Sequence, residues 1–329
     1  MNYNSRNRSR LMLVGMLAVG MTAALTIAGG VSEETPIGPK WWPSKWGPED
    51  QRGAANLMTP QKVLEATSLI KTGKVYQLGR VYERDMPTFP HRTFQLTLPA
   101  FRSSQGENMQ VGRDEFFVGE IGQMGTQMDG LGHVGARLPE GDTYYNGFTS
   151  SEIEDAYGLQ KLGVENVGVF FTRGVLIDVV SYRKVDRLPV GYEITVDDLH
   201  GALERQHQTI GRGDVVFLRT GHSKLWKVDN DTYNSGEPGI GLSAAKWLIE
   251  QDVAMVAADN WGIEVDPPPN PKRRIEVHQW MITKNGIYFL ENLNLEELAA
   301  DKAYEFAFVF SPLRMKGATG SPGNPIAVR

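Results

Sequence analysis

From Val75 onward the chain alternates short β-rich runs with helical patterns, and that alternation limits the fold more than any other feature. Residues 75–81, 116–121, 174–180, 214–219, 253–258, 287–291 and 306–310 are rich in valine, isoleucine and aromatic side chains and read as strands. Helical patterns fall at 195–206, 243–251 and 294–302, with Thr195 and Ser243 as N-caps for the first two. A further helix is expected after Thr59 as N-cap and Pro60 as first helical residue, with Gly73 as a stop. Its apolar face is Val63, Leu64, Ala66, Leu69 and Ile70. Buried strands interleaved with helices imply a mixed α/β sheet with helices packed on it. No internal repeat, low-complexity tract or linker divides the chain, so one domain is expected over 59–329.

The ends and the composition narrow the setting. Arg6, Arg8 and Arg10 precede an uncharged apolar stretch, residues 11–31, that finishes in the small residues Ala28, Gly29 and Gly30. Residues 1–30 therefore read as a secretory signal peptide, which places the mature protein in the periplasm or outside the cell. Left uncleaved, the same stretch would be an inner-membrane anchor. No later run is comparably apolar, so no membrane contact is expected after cleavage. Residues 31–58, with Pro36, Pro39, Trp41, Trp42, Pro43, Trp46 and Pro48, read as an extended arm. The 329 residues contain no cysteine, which excludes disulfides, thiolate metal sites and a cysteine nucleophile. A net charge of −5 without a basic stripe argues against nucleic-acid binding.

Chemistry concentrates in residues 122–133, GQMGTQMDGLGH. The glycines let backbone approach a bound ion closely. Asp129 offers a hard anionic oxygen, Gln123 and Gln127 offer neutral amide oxygens, and His133 can serve as ligand or as general acid/base. Taken alone, the loop reads equally well as a glycine turn whose polar side chains satisfy backbone groups. Gly130, Gly132 and Gly135 also match the dinucleotide fingerprint GxGxxG. However, Pro139 and Gly141 leave no room for the helix that motif needs, and Asp129 would repel phosphates. Neither a GxSxG elbow nor a phosphate-binding loop occurs.

A second block, VHQWMITKNGIYFLEN, places His278 thirteen residues before Glu291 at a strand end. With it the chain resembles the cyclase family of metal-dependent hydrolases, the family of bacterial kynurenine formamidase and isatin hydrolase. The family hallmark HxGTHxD, followed by a further histidine, stands here as Gln123-Met124-Gly125-Thr126-Gln127-Met128-Asp129 and then His133. Supporting matches are Met86-Pro87-Thr88-Phe89-Pro90, Arg219-Thr220-Gly221, Asp259-Asn260-Trp261 and Gly317-Ala318-Thr319-Gly320-Ser321-Pro322, in family order. Two hallmark histidines are glutamines, which marks a variant branch reading GTQ in place of GTH.

The resemblance implies a swivelling β/β/α fold, a mixed sheet partly barrel-like with flanking helices, forming a single catalytic domain. It implies a metal site of Asp129, His278 and Glu291, with Gln123 and Gln127 at the positions of the lost imidazoles and His133 as acid/base. Glutamine is a weaker ligand than imidazole and favours harder ions, so one divalent ion, manganese or zinc, is expected rather than two. The implied function is metal-dependent hydrolysis of an amide C–N bond in a small molecule, a cyclic amide or an aryl formamide. The alternatives are a lactone or ester hydrolase on the same scaffold and a secreted, non-catalytic small-molecule binding protein. A homodimer or homotetramer is expected by resemblance. Phe89 sits where the family has an aromatic substrate contact, and His91 and His222 are candidate pocket residues. Trp261 and Asp259 read as hydrogen-bonding groups at the sheet margin. Lys272, Arg273 and Arg274 form a basic run in a proline-rich loop, solvated by default but able to meet an anionic substrate group.

Overall fold

The computed structural model describes residues 34–99 and 106–329, and the signal-peptide reading lies outside them. Residues 34–329 form one unit. Nine strands make its main sheet. In chain order they are β1 (Val75–Gln77), β2 (Gln127–Asp129), β3 (Phe170–Asp178), β4 (Val215–Arg219), β5 (Met255–Ala258), β6 (Tyr288–Glu291), β7 (Glu305–Phe310), β8 (Gly320–Pro322) and β9 (Ile326–Val328). Their spatial order is β8-β2-β6-β5-β4-β3-β7-β9-β1. Strands β3, β4, β5 and β6 run parallel to one another, and the pairings on either side of them are antiparallel. The sheet is thus mixed, and it curls into a half-barrel with flanking helices, as the family resemblance implied.

Parallel strands joined by crossovers need cover on both faces. Accordingly every residue of β4, β5 and β6 is buried. Helices α1 (Pro60–Thr67), α2 (Val196–Gln206) and α3 (Leu242–Glu250) flank the sheet. Thr59 caps α1 by accepting the Lys62 N–H at 3.2 Å, with Pro60 at the first helical position. Thr195 and Asp198 form a reciprocal capping box on α2. The cap expected at Ser243 is instead Gly241, because α3 begins one residue before that serine.

Other elements differ from the sequence pattern for local reasons. The run at 116–121 becomes a strand, Phe116–Gly119, paired only with Phe94–Thr97 in a hairpin separate from the main sheet. The run at 174–180 ends at Asp178, whose carboxylate accepts the Ser181 N–H at 3.0 Å and starts a helical turn, Val179–Arg183. The helix expected over 294–302 is confined to Glu296–Ala300. Residues 34–58 include a short hairpin and a 3₁₀ turn, Gly53–Leu57, whose Ala54, Ala55 and Leu57 are buried in the main core. Among the described residues no helix is long and apolar enough to cross a membrane.

The core interlocks through aromatic edges. Phe217 of β4 meets Phe306 and Phe308 of β7 edge to face, with ring centroids 5.1 and 5.0 Å apart. That packing needs a gap in β3, the strand between them, and Gly174 supplies it. A Cβ there would overlap the Phe306 ring and lie 2.9 Å from Phe217. Gly174→Ala is expected to cost about 1–3 kcal/mol through overpacking, read as a lower urea midpoint. An unchanged midpoint would show that the aromatic cluster is looser than described.

Candidate metal centre

The site is built by one strand register. Strands β2 and β6 pair antiparallel, with Gln127 opposite Glu291 and Asp129 opposite Phe289. Residues two apart on a strand share a face, so Gln127, Asp129, Phe289 and Glu291 all project to the same side. Strand β8 secures β2 from its other edge, with Gly320 opposite Asp129 and Pro322 opposite Gln127. The Gly130 N–H adds a bond to the Thr319 carbonyl at 2.8 Å. The tail block matched in the sequence is therefore the edge strand that holds the site strand. In the turn that follows, a Cβ at Gly132 would meet the end of the Leu159 side chain, which would have to shift to admit it.

His278 comes from a short helix, Glu276–His278, that continues as a π-helical stretch, Gln279–Lys284. That stretch is tied to the segment after His133: Thr283 donates its hydroxyl to the Val134 carbonyl at 2.8 Å, and Gln279 donates to the Gly135 carbonyl at 3.0 Å. The two histidines thereby share one scaffold, with ring centroids 6.5 Å apart. The His278 ring rests edge-on against Phe289 at 4.8 Å.

Three ligand atoms converge. His278 Nε2 lies 3.8 Å from Asp129 Oδ2 and 3.7 Å from Glu291 Oε1. All three residues are buried, and among the described residues theirs is the one cluster with metal-ligand spacing. Ligands about 2.0–2.2 Å from a single ion lie roughly 3–4 Å from one another. Asp129 Oδ2 is buried without a hydrogen-bond partner, a costly state for a carboxylate oxygen unless a cation meets it. The donor set of one imidazole and two carboxylates suits a divalent ion. His133 Nε2 stands 3.6 Å from the same Asp129 oxygen, with 23% of its side chain exposed.

The glutamines do not aim amide oxygens at this point, as a ligand role would require. Gln123 Nε2 donates to Asp129 Oδ1 at 2.8 Å, and Gln127 Nε2 donates to Glu291 Oε2. An ionised carboxylate only accepts, so the amide nitrogens face it. Gln123 also donates to Gln127 Oε1 at 3.3 Å. Each glutamine therefore occupies the outer oxygen of one carboxylate and leaves the inner one free. Glu264 does the same for His278. Its carboxylate accepts from the ring Nδ1 and, at 3.2 Å, from the His278 backbone N–H. This fixes the tautomer and turns Nε2 to the site. The sequence reading missed Glu264, since nothing in its spacing marks it.

The electrostatics are those of a site short of positive charge. Burial, reinforced by the Asp129 charge, pushes the Glu291 carboxyl up to about 8. Burial alone would lower His278, but the Glu264 and Glu291 carboxylates outweigh it and hold the imidazole well above its usual range. His133 moves the opposite way, lowered by burial against the pull of Asp129 and aided by the positive charges of His278 and Arg92.

A cavity of about 420 Å³ opens from His278, walled by Phe89, His91, Arg92, Trp261 and Arg274. Phe89 meets Trp261 edge to face at 5.1 Å and stacks on His91 at 6.0 Å. Trp261, read from sequence as a margin residue, is thus also a cavity wall. Asp259 stays structural, accepting from Thr220 and Gly221 N–H groups at 2.8 and 2.9 Å. His222 is not brought to the cavity. It is fully buried one layer behind, stacked on Tyr233 with Nε2 at 3.0 Å from the Tyr233 carbonyl.

The Cyclase family model matches residues 76–265, ending short of His278 and Glu291. A crystal structure of a novel cyclase is 36% identical over 87% of this chain and 96% of its own, with a TM-score of 0.78. Isatin hydrolase A from Ralstonia solanacearum is 21% identical over 82% of this chain and 98% of its own, with a TM-score of 0.57. Isatin hydrolase A from Labrenzia aggregata, bound to benzyl benzoate, is 20% identical over 80% and 94%, with a TM-score of 0.55. At that identity the likeness to the two isatin hydrolases is one of fold. No curated protein matches the chain significantly. The matched family model and the 36% identical structure show that the chain belongs to the cyclase family.

Proposed function

We propose that the chain is a metal-dependent hydrolase that cleaves an amide C–N bond, in a cyclic amide or an aryl formamide. The observation that carries this reading is the convergence of Asp129 Oδ2, His278 Nε2 and Glu291 Oε1 beside His133, with His278 lining an aromatic cavity. Asp129, His278 and Glu291 would hold a divalent ion, manganese or zinc, which would supply Lewis-acid activation of a carbonyl and of water. His133 is held neutral by its surroundings, so Nε2 accepts a proton from the attacking water and returns it to the departing nitrogen. Glu264, Gln123 and Gln127 keep the ligand atoms aimed inward through their bonds to His278, Asp129 and Glu291. Phe89 and Trp261 enclose a planar substrate. The fold likeness to isatin hydrolases, whose named substrate is a cyclic amide, supports the C–N assignment. The second reading is an ester or lactone hydrolase using the same residues, because a polarised ester carbonyl is open to the same attack by water.

Three outcomes test this account. His133→Ala is expected to lower kcat by at least about 100-fold on a cyclic amide, formamide or lactone that the wild type turns over, with bound metal unchanged. Retained turnover would remove His133 from the mechanism. Because His278 and Glu291 hold protons near neutrality in the ion-free protein, an entering ion must displace them. Apparent affinity for manganese(II) should therefore rise with pH between 6 and 8. Titration calorimetry in two buffers of different ionisation enthalpy should show about one proton or more released per ion, and a pH-independent affinity would contradict the charge assignment. Gln127→Leu should weaken metal binding by roughly 10–100-fold by freeing Glu291 Oε2. Loss of a direct ligand would instead abolish binding.

A further inference from the structure

Arg92 is a cation to which no carboxylate is hydrogen-bonded among the described residues: Glu120, whose carboxyl its charge helps to lower, is turned to the Thr93 N–H. Arg173 and Arg219, also withdrawn from solvent, are each held by carboxylates: Arg173 by Asp214 at 2.6 Å, and Arg219 by Asp178 at 2.9 Å and Glu296 at 2.8 Å. The Arg92 guanidinium has no ion pair or hydrogen bond among the described residues, and its Nε is buried without a partner. A buried guanidinium nitrogen without an acceptor is costly, and its planar fork is shaped for a carboxylate.

Its surroundings say where that carboxylate would come from. Arg92 lines the 420 Å³ cavity with Phe89 and Trp261, and also the narrow cleft lined by Gln123, Gln127 and Glu291. The nearby carboxylates are held by other partners: Gln123 and Gln127 bond the outer oxygens of Asp129 and Glu291, and Glu120 accepts from the Thr93 N–H. The segment carrying Arg92 is tied down. The Arg92 N–H bonds the Phe89 carbonyl at 2.9 Å, and Asn234 donates to the Thr88 carbonyl at 3.2 Å. The guanidinium is thus presented to the cavity on an anchored turn, next to an aromatic wall.

We propose that Arg92 recognises a carboxylate on the substrate, so that the natural substrate class is an aromatic acid whose anionic group lies between the aromatic wall and the bond to be cleaved. The proposal rests on the hydrolase reading only in taking the His278 end of the cavity as the place of cleavage. Its test needs no turnover, so its failure and the failure of that reading are distinguishable.

The full-length protein is kept in chelator, so that no ion competes for the probe. It is titrated with benzoate and with benzamide, its neutral analogue, following tryptophan fluorescence and calorimetry. Benzoate is expected to bind the wild type at least about tenfold more tightly than benzamide. Arg92→Met should abolish that difference while leaving benzamide affinity and the melting temperature unchanged. Arg92→Lys, which keeps the charge but loses the fork, should retain part of it. The proposal is overturned if benzoate fails to bind, if it binds no tighter than benzamide, or if its preference survives in Arg92→Met.

Discussion

The antiparallel pairing of β2 with β6 is the constraint on which the site depends. It brings Asp129 and Glu291 to one face of a buried sheet, where two carboxylates within reach of each other raise the cost of ionising both. That cost accounts for the groups gathered around them. It places Gln123 and Gln127 as amide donors on the outer oxygens, pushes the Glu291 carboxyl up to about 8, and holds His278 in its charged form. A one-residue slip in the register would send the carboxylates to the opposite face and dismantle the site.

The same pairing explains how glutamines can stand where the family hallmark has histidines. An imidazole ligand contributes a lone pair to a cation. A glutamine amide contributes N–H donors to a carboxylate, and in this chain those donors meet carboxylate oxygens that a second cation would otherwise have to satisfy. The substitution is therefore chemically consistent with a site of three ligands, Asp129, His278 and Glu291, around one ion. Glu264 completes the arrangement from the other side by orienting His278.

Much of this was legible in the sequence, and for identifiable reasons. The central strands β3 to β6 announce themselves because strands buried on both faces are nearly continuous apolar runs. Asp129, His133, His278 and Glu291 stood out because two glycine-rich or strand-end blocks carried them in family order. What stayed hidden depends on tertiary placement. Strand β2 is three residues long and carries a glutamine and an aspartate, so no periodicity marks it. Gln123 and Gln127 were recognisable as departures, but whether they offer oxygen or nitrogen is decided by the carboxylates opposite. Glu264 lies fourteen residues before the histidine it orients, in a loop whose path is not readable locally. His222 follows a strand end, as a pocket residue does, yet its ring turns inward onto Tyr233.

The central claim is that one ion is held by three residues drawn from β2, β6 and the helix bearing His278. Elemental analysis of the purified protein after manganese or zinc loading tests it most directly, with Asp129→Ala and Glu291→Ala measured in parallel. The account predicts about one ion per chain in the wild type and loss of it in both variants with the fold intact. Two ions per chain, or an ion retained when Asp129 or Glu291 is removed, would contradict it.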